Sequence, residues 1–317
     1  MSLARRYWVL AVSVVLGASL LSPPLWWLFR YLAGASAALG FLSEYTVDRI
    51  MSRLIALGVV GAFLWKPARF GLQSPYRLGF RFEPGWRRQF GFGLGISLGL
   101  ALAVTILLYP LGARRWTFVT DFDPGRFAVR IPKALAGAAI IGLVEEYFFR
   151  GVLLQGLAGR VSAFWAVVAS SAVYALVHFA QLPQYVPVAG YDPLEGFRVI
   201  GLLLGSLGSN LVIVESAFLG LFLSGVLLCL TFYHTGRLFV AVGLHGGWVF
   251  FTKLDGFFID CNYRGAPWLY GTGDMLDGVL PQMVVLLAGG AFLCWAHCRS
   301  RCLKLASGES CDDDFTR

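Results

Sequence analysis

The sequence predicts an all-α fold: a polytopic membrane helix bundle of about eight transmembrane helices with both termini cytoplasmic. Three observations carry that expectation. Apolar residues fill 57% of the 317 positions and charged residues only 14%, against roughly 45–50% and about 25% in soluble domains. A soluble globule of this size cannot bury so much apolar surface, and a disordered chain shows the opposite bias. The apolar residues fall into runs near the about 20 residues that a helix needs to cross hydrocarbon. The basic excess, a net charge of +8, is clustered in a few loops and tails, as in chains whose positive charges set membrane orientation.

The expected spans are 7–29, 46–65, 90–110, 132–156, 161–180, 212–233, 237–256 and 279–297. The first follows Arg5-Arg6 as a signal peptide would, but it is long and contains Pro23-Pro24 and Trp26-Trp27. It also lacks a small-x-small cleavage site, so it reads as a retained signal anchor. After the second span, the loop 66–89 carries Lys66, Arg69, Arg77, Arg81, Arg87 and Arg88 against Glu83, which places it in the cytoplasm. The third span leads to 111–131, where Arg114, Arg115, Arg126 and Arg130 outnumber Asp121 and Asp123. The span count puts that loop outside, so its charge conflicts with the arrangement.

The stretch 198–211 is apolar, Gly-rich and too short to span, and is expected to be re-entrant or interfacial. The loop 257–278, with Asp260, Asp274 and Asp277 against Arg264, reads as outside. The last span ends on Arg299, Arg301 and Lys304, which belong inside. The tail from 305, with Ser-Cys-Asp-Asp-Asp, reads as disordered and acidic. The chain thus divides into 1–130, N-terminal helices with a basic cytoplasmic loop; 131–256, a core; 257–304, an outer loop with the last helix; and the tail 305–317. The six cysteines contain no Cys-x-x-Cys pair. Cys294, Cys298 and Cys302, beside His297, share one helix face and read as small apolar residues at a membrane-helix end.

Asp, Arg or Lys at a membrane-helix centre costs roughly 2.5–3.5 kcal/mol each, so such a residue needs a partner or a purpose. The fourth span places Glu145 and Glu146 side by side with Arg150 beyond them. Neighbours on a helix diverge by about 100°, so the two carboxylates serve different directions. Glu146 and Arg150 are four apart and pair on one face. Glu145 then has no local cation, and a buried unpaired carboxylate suits general acid or base work. The fifth span adds Tyr174 and His178 on one face, and the seventh adds His245 followed by Gly246-Gly247, which admit a close helix or substrate backbone. A carboxylate and two imidazoles on three helices can polarise a water directly. Alternatively Glu145, His178 and His245 can hold a zinc ion with one open position.

These residues resemble the CPBP family of intramembrane proteases, which includes the CAAX prenyl endopeptidases and the bacteriocin-immunity (Abi-type) proteins. The Glu-Glu-x-x-x-Arg motif is matched by Glu145, Glu146 and Arg150. Phe-x-x-x-His is met by Tyr174 and His178, with Tyr for Phe, and the third motif by His245, with Val249 where many members carry Asn. The ordered trio covers roughly 130–255, so the core 131–256 is CPBP-like. The resemblance implies a membrane endopeptidase of the glutamate type, formerly called metallo, with no required cofactor. Glu145 and His178 would activate water, His245 would stabilise the oxyanion, and Glu146, Arg150 and Tyr174 would support them. Val249 cannot donate a hydrogen bond, and loss of one oxyanion donor costs roughly 2.7–4 kcal/mol. The implied partners are the bilayer of the cell (inner) membrane and a membrane-associated protein or peptide, with no nucleic acid. No prenylation box ends the chain. The alternative from another class is a non-catalytic scaffold or immunity protein.

Overall fold

The computed structural model describes residues 3–66, 69, 78–117, 123–178, 192–213, 215–261, 266–271 and 277–307. Among the described residues there are nine long helices. They are α1 (Leu3–Ala35), α2 (Val47–Trp65), α3 (Trp86–Leu108), α4 (Pro124–Glu146), α5 (Ala163–His178), α6 (Glu195–Ile213), α7 (Glu215–Thr235), α8 (Phe239–Thr252) and α9 (Val279–Ser307). A π-helical stretch, Tyr147–Leu154, and a last turn, Gln155–Ala158, continue α4. Four helices among the described residues are long and apolar enough to cross a membrane: Arg5–Ala35, Trp86–Leu108, Pro124–Ala158 and Ala217–Thr235. The chain is therefore a helical membrane protein.

The helical bundle carries one short ribbon: β1 (Arg114–Trp116) and β2 (Ile259–Cys261) pair antiparallel. This ribbon joins the loop with conflicting charge to the acidic loop. Arg115 faces Asp260, and buried Arg114 donates to Thr105 Oγ1 at 3.0 Å. A charge count treats these arginines as free in water, whereas one is buried and the other is set opposite an acid.

The stretch 198–211 lies within one 19-residue helix, α6, which is not among the four described helices long and apolar enough to cross a membrane. The seventh expected span is shorter than its apolar run, because α8 has only 14 residues. Residues 305–307, expected to be disordered, end α9. The rest of that acidic tail, Arg77, Asp121, Arg264, Asp274, and the side chains of His297, Cys298 and Cys302 lie outside the described residues.

The core sits around α8, whose residues from Phe239 to Trp248 are all buried. Such a helix must be approached closely on more than one side, and glycines permit it. Towards α3, a Cβ on Gly243 would lie 2.1 Å from the Phe90 carbonyl oxygen, and one on Gly247 would lie 2.0 Å from Ser97 Oγ. Towards α4, Gly246 faces the Ala138 carbonyl and Gly142 faces Val242 and Gly246. The pair Gly246-Gly247 thus serves two neighbouring helices.

The N-terminal helices form a second packed group. Ala18 of α1, Val47 and Met51 of α2, and Val199 of α6 share one apolar cluster. At the other end of α8, Leu238 N–H donates to the Gly79 carbonyl at 3.1 Å, and Arg237 pairs with Glu83.

Gly243→Ala is expected to destabilise the protein by about 1–3 kcal/mol, because backbone rather than a movable side chain occupies the space. Gly95→Ala, with nothing within 4 Å of the added carbon, is the control. Thermal unfolding of both variants in detergent checks this, and equal midpoints would contradict it.

Candidate active site

Glu145 and Glu146 end the regular part of α4, and the backbone then widens into the π-helix that carries Arg150. A π-segment disturbs the regular helical ladder and is frequent at functional sites. Two of its carbonyls accept from side chains: Ser170 Oγ of α5 donates to Phe149 O at 3.1 Å, and Gln155 Nε2 donates to Arg150 O at 3.5 Å.

Arg150 Nη1 donates to Glu146 Oε1 at 2.8 Å, and both side chains are 0% exposed. The guanidinium also donates to the Gly225 carbonyl of α7 at 3.3 Å and lies 4.6 Å from the Tyr174 ring centre. A charge withdrawn from water needs such a set of partners.

The same Glu146 oxygen lies 2.8 Å from His245 Nδ1. The carboxylate accepts here, so Nδ1–H donates and Nε2 points the other way. His178 is oriented by a different acceptor: its Nδ1 lies 2.8 Å from the Tyr174 carbonyl. A carbonyl only accepts, so the neutral His178 ring presents an unprotonated Nε2.

The two imidazoles converge on Glu145. Its Oε2 lies 3.8 Å from His178 Nε2 and 3.8 Å from His245 Nε2, and it makes no hydrogen bond among the described residues. The group is graded in exposure. Glu145 and His178 side chains are 29% and 27% exposed, His245 4%, and Glu146 and Arg150 0%. One half is partly open, although Glu145 Oε2 itself is buried, while the other half is shielded. Tyr174 supports both histidines through its ring, at 4.5 Å from His178 and 5.9 Å from His245. Val249 follows His245 by one helical turn and is partly buried.

A zinc ion would require Glu145, His178 and His245 together. With zinc–ligand bonds of about 2.0–2.1 Å, neighbouring ligand atoms stand about 3.3 Å apart. The observed 3.8 Å is wider, and no three His, Cys, Asp or Glu side chains are gathered for a metal among the described residues. The residues as placed do not fit tetrahedral zinc. A water at about 2.8 Å from each atom of such a pair is within hydrogen-bonding reach.

The sequence reading paired Glu146 only with Arg150; its bond to His245, 99 residues away, carried no local signal. Nor did the Gly225 carbonyl. Nor did the bond from Ser170 to the π-segment.

Fold and site together define a helical membrane protein with buried and half-buried carboxylate and imidazole groups meeting between α4, α5 and α8. Residues 127–251 match the family described as type II CAAX prenyl endopeptidase Rce1-like. Over that segment the chain is similar to the CPBP, or CAAX protease, family. No curated protein and no solved structure matches the chain.

Proposed function

We propose that this chain is an intramembrane endopeptidase that hydrolyses a membrane-associated protein or peptide with a water activated by Glu145 and His178. The observation that supports this reading is Glu145 Oε2, unpartnered and equidistant from two imidazole Nε2 atoms. In the proposed reaction Glu145 takes the proton of the attacking water while His178 Nε2 orients it. The water oxygen bonds to the scissile carbonyl carbon, and the carbonyl π electrons move onto oxygen. His245 Nε2, in its protonated form, donates to that oxyanion, and the Glu146 carboxylate at Nδ1 stabilises the imidazolium. Collapse breaks the C–N bond, and Glu145 returns its proton to the leaving amine. The support for calling this proteolysis is the family match over 127–251.

We place the chain as a multi-pass protein of the cell membrane with both termini on the cytoplasmic side, following the basic loops. No cofactor enters the proposed chemistry. Purified protein in lipid, incubated with a quenched membrane-peptide library, is expected to cleave and to keep its rate with a strong chelator. Loss of cleavage with chelator and its return with added zinc would replace direct carboxylate activation by a metal mechanism.

Val249 favours a second reading, a non-catalytic scaffold or immunity protein, since an apolar side chain stands where a donor would serve the oxyanion. Folded wild-type protein that cleaves nothing, while Val249→Asn gains activity, would support that reading.

A further inference from the structure

Glu145 and Lys253 mark the two ends of one partly open strip between α4 and α8. The helices run antiparallel, since Glu146 meets His245 and, further along, Gly137 meets Lys253. Gly137, Ile141 and Glu145 follow at steps of four on one face of α4, and His245, Val249 and Lys253 do the same on α8. Of these six residues His245 is buried and the other five are partly exposed. Eight positions separate the ends on either helix, about 12 Å at 1.5 Å per residue.

The far end of the strip is a cation. Lys253 caps α8 and lays its side chain against α4, where a Cβ on Gly137 would lie 3.1 Å from Cε and 3.7 Å from Nζ. Its ammonium makes neither an ion pair nor a hydrogen bond among the described residues. Exposed Arg130 of α4 crosses to the Lys253 carbonyl, with Nε donating at 3.2 Å, so the strip stops at the lysine. The helix macrodipole favours a cation in this last turn. It does not require the ammonium to lie at Gly137, thirteen positions into α4, where a lysine seeking water would reach for the helix end.

We propose, on the endopeptidase reading above, that the Lys253 ammonium binds the free C-terminal carboxylate of a substrate peptide lying in this strip. A half-buried cation without an acid calls for an anion. A strip that ends at the cation suits an anion at the end of a chain, which a terminal carboxylate is whatever the sequence. An extended peptide advances about 3.3–3.6 Å per residue, so the distance from Glu145 to Lys253 accommodates about three or four residues beyond the scissile bond. Lys253 is then a residue that determines specificity, setting how far from the C-terminus the cut falls.

The test uses the purified full chain in lipid and a membrane peptide that it cleaves in the quenched library, made once with a free C-terminal carboxylate and once as the amide. Wild type is expected to cleave the acid with at least about tenfold higher kcat/KM, the scale of one charge-assisted contact. Lys253→Gln is expected to bring that ratio close to one, and Lys253→Arg to keep it. A side chain that only steadied the end of α8 would affect both peptides alike, so the ratio separates the two roles. Mass spectrometry of the products is expected to show a released fragment of about three or four residues. Equal rates for acid and amide in wild type would overturn the proposal, as would a preference that survives in Lys253→Gln or a cut far from the C-terminus. Cleavage in any of these forms would leave the endopeptidase reading standing, whereas folded protein that cleaves no peptide would overturn that reading and the carboxylate site with it.

Discussion

Glu145→Gln is expected to lower kcat by about 10²–10⁴-fold, the usual contribution of a positioned general base, with KM and melting temperature nearly unchanged. Gln has the shape of Glu, and Oε2 makes no hydrogen bond among the described residues, so little structural contact is lost. At 3.8 Å from both Nε2 atoms, an amide can still touch a water but cannot take its proton. Single-turnover cleavage of a membrane peptide found by library screening measures the effect. A variant that cleaves at the wild-type rate would remove Glu145 from the chemistry and, with it, the proposed mechanism. His178→Ala run in parallel should fall as well, since the lone pair left by its Nδ1 bond to the Tyr174 carbonyl is lost.

Arg150→Met is expected to cost about 3–5 kcal/mol of stability, because it removes the guanidinium and leaves the buried Glu146 carboxylate with only His245 Nδ1–H beside it. Both partners are 0% exposed and joined at 2.8 Å, so water cannot replace the guanidinium without opening the bundle. The double variant Glu146→Gln/Arg150→Met removes the stranded charge and should recover much of the loss. Its activity should stay low, because His245 keeps an acceptor at Nδ1 but loses the negative charge that stabilises its imidazolium. Chemical unfolding in detergent, with peptide cleavage beside it, separates the two effects. A single variant that loses less than about 1 kcal/mol would show that the pair is solvated in the protein.

The helical period made some of this site legible. A separation of four residues places Glu146 with Arg150 and Tyr174 with His178 on shared faces, and the distances agree. The 100° step between neighbours separates Glu145 from Glu146, and the structure turns one towards half-buried His178 and the other towards buried Arg150. The apolar runs likewise mark the helices, with ends that shift by several residues.

Other features had no local signature. The π-helix at Tyr147–Leu154 has a partner on another element, Ser170 of α5, which takes up the Phe149 carbonyl. The charge pattern of 111–131 misleads because a β-ribbon brings Asp260 opposite Arg115. The sequence by itself determined a membrane-type helical chain, the intrahelical pairs, and the carboxylate left without a local cation. Only the tertiary structure decided that Glu146 also holds His245, and that both histidines meet at Glu145. The physical reason is that periodicity encodes which residues share a helix face. Which faces meet is set by packing, here by glycines of α8 whose partners on α3 and α4 lie about 100 or more positions earlier.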